Sequence, residues 1–341
     1  MTQLRSGVAL QPVDDPVTFT AMTREIEDLG FDNLWLTDSC LHARNCYAYM
    51  TLAALSSSRL MLGTAVTNPL TRHPAITASA VATLDEISGG RAILGIGAGD
   101  RPLLALGLKP SPLVELEEAI KAVRALWSGM DLDLEAGSFS LKDAHMRFKT
   151  RQDIPVFVSA SGPRTLELAG RVADGVILLV GLFPEALRWA LESIDSGVRA
   201  AGADTGGPIA RSRPHVAVFA YGSIDDNPAL ALERACSIAV WFPQTAPVIC
   251  RLAGLDDELV EQVRRVYGGG EFQEAASAAG MLPDEFVRKV ALAGDRSEAR
   301  ARIEAVLGAG ADSVNVFPLG DQRMETVRNF ARCWREVTGA P

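Results

Sequence analysis

The sequence is poor in the residues from which metal centres and disulfide frameworks are built. It holds four histidines and five cysteines in 341 residues, with no HxxxH and no CxxC spacing. That argues against a metal site. Cys40, Cys46, Cys236, Cys250 and Cys333 are scattered and odd in number, which fits reduced thiols in a cytoplasmic protein rather than a disulfide scaffold. Basic residues are also short: 33 Lys and Arg stand against 42 Asp and Glu, for a net charge of -9. With no Lys/Arg cluster, this excludes the usual footprint of a nucleic-acid partner. Long apolar runs are missing too. The start, MTQLRSGVALQ, lacks the apolar core of a signal peptide, and nothing later reaches membrane-spanning length. The expectation is a cytoplasmic protein that works on small molecules, away from membranes. At 48% hydrophobic and 22% charged residues, a chain of this length can bury a large core.

What is present is organised around Leu62–Asp100, which reads LGTAVTNPLTRHPAITASAVATLDEISGGRAILGIGAGD. A strand breaks at Asn68-Pro69, a helical pattern runs to Gly89-Gly90, and a second strand, Ala92–Ile96, closes on glycines and an acid. The apolar runs are continuous rather than alternating, as in parallel strands covered on both faces. The same alternation recurs along the chain. Strands are predicted at Ser6–Leu10, Asn33–Thr37, Pro155–Ser159, Val176–Val180, Val216–Tyr221 and Ser313–Phe317, separated by amphipathic helices. Eight strands alternating with helices predict a (β/α)8 TIM barrel with insertions, an α/β fold. An open doubly wound sheet is the rival. No composition shift marks a second domain, so a single domain over 1–341 is expected, with insertions near 131–149 and 243–282. The first shows little periodicity. The second belongs to a helical stretch from Pro228 to Asp295 with no obvious strand.

In parallel α/β folds, ligands sit at the carboxyl ends of the strands. Asp38 ends the second strand and is either an acid, base or acceptor at the rim, or a helix cap. Thr64–Pro69 is either a bulge able to support a flat ligand or an ordinary loop. Gly97–Asp100 lets backbone approach a ligand, but its spacing is not the dinucleotide fingerprint, and Asp100 would repel a phosphate. Ser159–Pro163 either offers free N–H groups and hydroxyls to an anion or is capped by Ser161. Tyr47, Trp241 and Phe242 are aromatic-wall candidates or core packing. Arg72-His73 either binds an anion or lies on a solvated helix start.

Val66–Asp100 closely resembles the methylenetetrahydromethanopterin reductases, deazaflavin-dependent members of the bacterial luciferase-like superfamily. The resemblance continues, more weakly, through Thr37-Asp38, Arg44-Asn45, Pro155–Pro163 and Ala173–Gly175. It implies a barrel whose cofactor enters at the strand ends, and a non-prolyl cis peptide at Ala65–Val66 backing the ring. Asp38, Thr67, Asn68 and Asp100 would line the ring or substrate side, beside Gly97 and Gly99. Ser159, Ala160, Ser161, Gly162, Leu179 and Val180 would form the phosphate region. Arg44, Tyr47 and Trp241 are candidates for the substrate wall. Two departures stand out. The reductases carry a glutamate where this chain has Ala9, and usually a histidine where it has Ser39. Asp100 and Asp38 are then the catalytic candidates. The implied activity is hydride transfer between coenzyme F420 and a small organic substrate, a methylene-pterin or related compound. The alternatives are an FMN-dependent monooxygenase and a cofactor-binding protein without turnover. A homodimer formed through barrel helices is expected.

Overall fold

Three capped helices carry the first four strands into register. In the computed structural model, which describes residues 4–39, 41–204, 212–268 and 272–340, β1 (Arg5–Leu10), β2 (Asn33–Leu36), β3 (Met61–Thr64) and β4 (Ala92–Ile96) alternate with α1 (Pro16–Asp28), α2 (Cys46–Ser56) and α3 (Pro74–Ser88). Asp15 caps α1 by accepting from Val17 N and Thr18 N, with Pro16 in the first turn. Asn45 caps α2, His73 caps α3, and Gly89 at φ +70° ends α3 in the left-handed region. Cys40 and residues 269 and 270 of the glycine break lie outside the described residues.

The chain continues through β5 (Leu132–Ala136), β6 (Phe139–Ala144), β7 (Val156–Ala160), β8 (Gly175–Leu178), β9 (His215–Ile224), β10 (Leu292–Gly294) and β11 (Ser313–Pro318). Parallel pairing runs β1-β2-β3-β4-β7-β8-β9-β11 and returns to β1, so eight strands close a (β/α)8 barrel and the open sheet is excluded. The short β10 adds to β9 from outside the ring.

Both faces of the strands are covered, which is why their apolar runs are continuous. Val8 and Leu10 of β1 face the layer of helices, whereas Ala9 packs inside the barrel with Trp35, Ile93, Phe157, Ile177 and Phe219. The rings of Phe157 and Phe219 each lie 5.5 Å from Trp35. Gly63 makes room for that indole, since a Cβ there would sit 2.2 Å from its Cε3. The position occupied by glutamate in the resembling reductases therefore contributes only apolar packing here.

Two elements depart from expectation. Residues 131–149 contain an antiparallel hairpin of β5 and β6, with Ala136 opposite Phe139. Its inner side chains, Phe139 and Leu141, pack on Ala119 and Ala122 of the helix Leu113–Trp127. The stretch after β9 is helical as expected, but it ends in β10, whose three residues are too few to show a period. Among the described residues no helix is long and apolar enough to cross a membrane.

Candidate active site

The rim of the barrel is broken where β3 leaves its neighbour. Leu62 and Gly63 pair with Ala92 and Ile93 in the regular ladder. Thr64 then substitutes its side chain for backbone: Oγ1 donates to Gly95 O at 2.6 Å and accepts from Gly95 N at 2.9 Å. Ala65 and Val66, joined by a cis peptide, swing away from β4. Thr67 rejoins it, donating to Gly95 O at 3.0 Å and accepting from Gly97 N at 2.9 Å. Thr64–Pro69 is thus a bulge and not an ordinary loop.

A cleft of about 350 Å³ opens over this bulge. Thr37, Asp38 and Ser39 border it after β2, and Ala65, Val66 and Asn68 after β3. Gly97–Asp100 follow β4, Ser159 and Ala160 end β7 with Ser161 just after it, and Leu179 follows β8. The far side is formed by Phe219 and Tyr221 of β9 with Trp241 and Thr245 of the helical stretch. Asp38 and Asp100 are the only charged side chains among the described residues of this lining.

The glycines after β4 are required by close approach. A Cβ on Gly97 would lie 3.1 Å from Val66 Cγ2 and 3.4 Å from Ser159 Cβ. Gly99 has φ +89°, and a Cβ there would meet Leu103 Cδ1 at 2.4 Å. At the other end of the cleft, the helix Pro163–Val172 begins at Gly162 with no side-chain cap. Capping by Ser161 does not occur, so the first-turn N–H groups keep no side-chain partner. The hydroxyl-bearing Ser159, Ser161 and Thr165 border the cleft beside them. That donor set suits an anionic tail.

Asp38 and Asp100 sit in unlike surroundings. Asp100 is exposed. Asp38 is buried, accepts from Thr67 Oγ1 at 2.8 Å, and has Arg72 Nη2 at 3.5 Å from its Oδ1. It caps no helix, since α2 is capped by Asn45. Arg72 and His73 do not form an exposed anion site. The Arg72 guanidinium lies 4.5 Å over the Tyr47 ring, while His73 caps α3 through Nδ1 and has Nε2 3.0 Å from Ser140 O of the hairpin.

The structure gathers most of the sequence-predicted residues at one cleft and corrects others. Arg44 is exposed and donates to Val13 O, away from the cleft. Tyr47 lies beneath Arg72 with its hydroxyl buried and in no well-formed hydrogen bond. Burial, then the neighbouring Cys46 and Asp38, push that phenol well above its ordinary pKa, so it stays protonated. Thr67 is fully buried and reaches the cleft only through Asp38, and Val180 is core. Gly162 is the helix cap behind Ser161. Asn68 borders the cleft, but its Oδ1 is committed to Leu70 N and Thr71 N at 3.0 and 2.8 Å. Phe242 is core packing. Phe219 and Tyr221 were legible as two same-face residues of one strand. Thr165 and Thr245 carry no signal in sequence.

Comparison with known proteins finds relatives that match most of the chain. The 5,10-methylenetetrahydromethanopterin reductase of Methanolobus tindarius is 31% identical over 94% of this chain and 97% of its own length. An F420-dependent glucose-6-phosphate dehydrogenase of Kineococcus radiotolerans is 31% identical over 81% of this chain and 87% of its own. The solved structure of the coenzyme F420 dependent tetrahydromethanopterin reductase of Methanopyrus kandleri superposes with a TM-score of 0.83 at 29% identity, covering 97% of this chain and 98% of that one. The profile described as luciferase-like monooxygenase matches residues 2–313, and on that extent the chain belongs to this family.

Proposed function

We propose that the protein is an oxidoreductase that transfers a hydride between coenzyme F420 and a small organic substrate, a methylene-pterin or a related compound. One observation carries the reading. The cleft over Ala65–Val66 has backbone and small side chains at the strand ends on one side and Phe219, Tyr221 and Trp241 on the other, in a chain matched over most of its length by relatives named for F420 or for methylenetetrahydromethanopterin. The residues fit the group. Ala65, Val66, Gly97 and Gly99 leave room for a flat ring, and Ser159–Gly162 with the uncapped helix start suit its phosphate.

When bound, the deazaflavin supplies the hydride chemistry. The chain's part is placement and proton handling. Ala65, Val66 and Asn68 border the cleft for the ring, Ala160 and Leu179 for the phosphate region, and Trp241 for the substrate. Thr67 acts through its hydrogen bond to Asp38. Asp38 orients a donor group of the ligand through Oδ1, since its Oδ2 is held by Thr67. Asp100, open to solvent, gives and recovers a proton. Ala9 and Ser39 leave no other carboxylate or imidazole on the described lining.

Fluorescence titration tests the cofactor: F420 is expected to bind more tightly than FMN. Equal or tighter FMN binding would replace this reading with a monooxygenase. F420 binding without reduction of any pterin or alcohol would favour a binding protein without turnover. We further take the chain as one cytoplasmic domain over 1–341, with excursions near 131–149 and 243–282, that pairs as a homodimer. Limited proteolysis yielding a stable separate fragment from either excursion would overturn the single-domain assignment.

A further inference from the structure

The least explained polar group near the cleft is the side chain of Arg72. A guanidinium placed beside a barrel rim normally binds an anion or extends into water. This one is held between an aromatic face and a buried carboxylate. It lies over the Tyr47 ring, 4.5 Å from its centroid, and does not border the cleft. Its Nε is buried with no hydrogen-bond partner. Its Nη2 stands 3.5 Å from Asp38 Oδ1, longer than a charge-assisted hydrogen bond. The stacking fixes where the charge is, because a planar cation over an aromatic face has few alternative positions. Asp38, the carboxylate this charge faces, is itself buried and borders the cleft. A buried carboxylate is retained only where it is paired and hydrogen-bonded. Thr67 holds Oδ2 firmly at 2.8 Å, so Oδ1 is the oxygen left to the loose cation and to the cleft.

We propose that Arg72 is a positioning residue: stacked on Tyr47, it holds the Asp38 carboxylate turned so that Oδ1 is offered to the bound ring. This rests on the reading that the cleft takes coenzyme F420. The slack contact then has a purpose. A short bidentate pair would consume both carboxylate oxygens, whereas a fixed cation slightly withdrawn balances the charge and leaves Oδ1 free to accept from a ligand. The Asp38-Thr67-Arg72-Tyr47 cluster thus links the loop after β2 to the bulge after β3 and the start of α3.

The test is a double-mutant cycle on the full-length protein, using Arg72→Met, Asp38→Asn and both together. Coenzyme F420 affinity is read by fluorescence quenching, and folding of the same proteins by urea titration. Arg72→Met is expected to weaken F420 binding by about 10-fold or more, since it strands a buried carboxylate. In the Asp38→Asn background the same substitution should cost less than about 3-fold, and Arg72→Lys should recover part of the loss. Equal losses in both backgrounds, or full loss in Arg72→Lys, would overturn the proposal. Failure of the unsubstituted protein to bind F420 would instead defeat the cofactor reading. The urea cycle would then decide the pairing itself: non-additive destabilisation supports it, and additivity overturns it.

Discussion

Asp100 and Asp38 face one cleft from opposite electrostatic settings, and their substitution should separate two roles. Asp100 is exposed and can exchange its proton with water. Asp100→Asn keeps size and most hydrogen bonding but removes that proton. Turnover on a validated substrate should fall by ~10²–10⁴-fold, the range for general acid–base catalysis, with coenzyme affinity nearly unchanged. Near-normal steady-state rates would reduce Asp100 to a placement role. At this scale the sequence is informative where residue type is unusual for its position. An acid at a strand end, glycines after a buried strand and small hydroxyl residues before a helix all point to the cleft. It is uninformative about direction. Tyr47 and Arg44 are near Asp38 in sequence, yet one turns beneath Arg72 and the other outward to Val13. Arg72 is the converse case, a surface-type residue drawn inward by an aromatic face that lies 25 positions away in sequence.

The bulge after β3 is the element on which the cleft depends, and one side chain holds its entrance. Gly95 N has Thr64 Oγ1 as its partner at 2.9 Å where the regular ladder has ended. Thr64→Val preserves shape but strands that buried N–H, which costs about 1–3 kcal/mol. Urea unfolding should show this loss; an unchanged midpoint would mean that the strands re-pair around the gap. Gly95→Ala should be worse, because its Cβ would fall 1.8 Å from Thr64 O, a backbone atom that cannot step aside. The barrel strands were legible to within a few residues because each is a continuous apolar run set between caps and glycines. The hairpin was not, though its signal exists. Leu132, Leu134 and Ala136 alternate with acids, Gly137-Ser138 can turn, and Phe139 and Leu141 alternate again. Alternation over so few residues, half of them exposed, is easily lost beside eight stronger runs.

At the scale of the whole barrel, the amino end of the interior holds a buried polar network. There Trp35 Nε1 donates to Asn315 Oδ1 at 2.9 Å, Asn315 Nδ2 reaches Ser313 Oγ at 3.3 Å, and His215 Nε2 lies 2.9 Å from the same Ser313 Oγ. Burial pulls the His215 pKa below its ordinary value, against the pull of Asp312 and with help from Arg5. Between that lowered value and about 6.5, the unfolded chain holds a proton that the folded barrel refuses. This contribution to stability is therefore complete above pH 6.5 and declines as the pH falls. Urea unfolding at pH 7.5 and pH 5.5 should show a smaller loss on acidification for His215→Gln than for the parent; equal losses would place the acid sensitivity elsewhere. The outside of the barrel raises the complementary question of what covers its apolar helices. Ile76 and Ile87 lie eleven residues apart on α3, three turns along one face, and are 58% and 40% exposed. Leu55 at the end of the adjacent α2 is 72% exposed. Single exposed aliphatics are ordinary, but three on two neighbouring helices make α2 and α3 the expected contact of the proposed twofold pair. Each is worth about 1.5–3 kcal/mol when fully buried. Light scattering at micromolar concentration should therefore give twice the chain mass. Leu55→Glu combined with Ile76→Glu should shift the protein toward monomer with its unfolding midpoint otherwise intact, because neither side chain belongs to the core. A monomer mass for the unsubstituted protein, or an undiminished dimer in the double variant, would move the contact off α2 and α3.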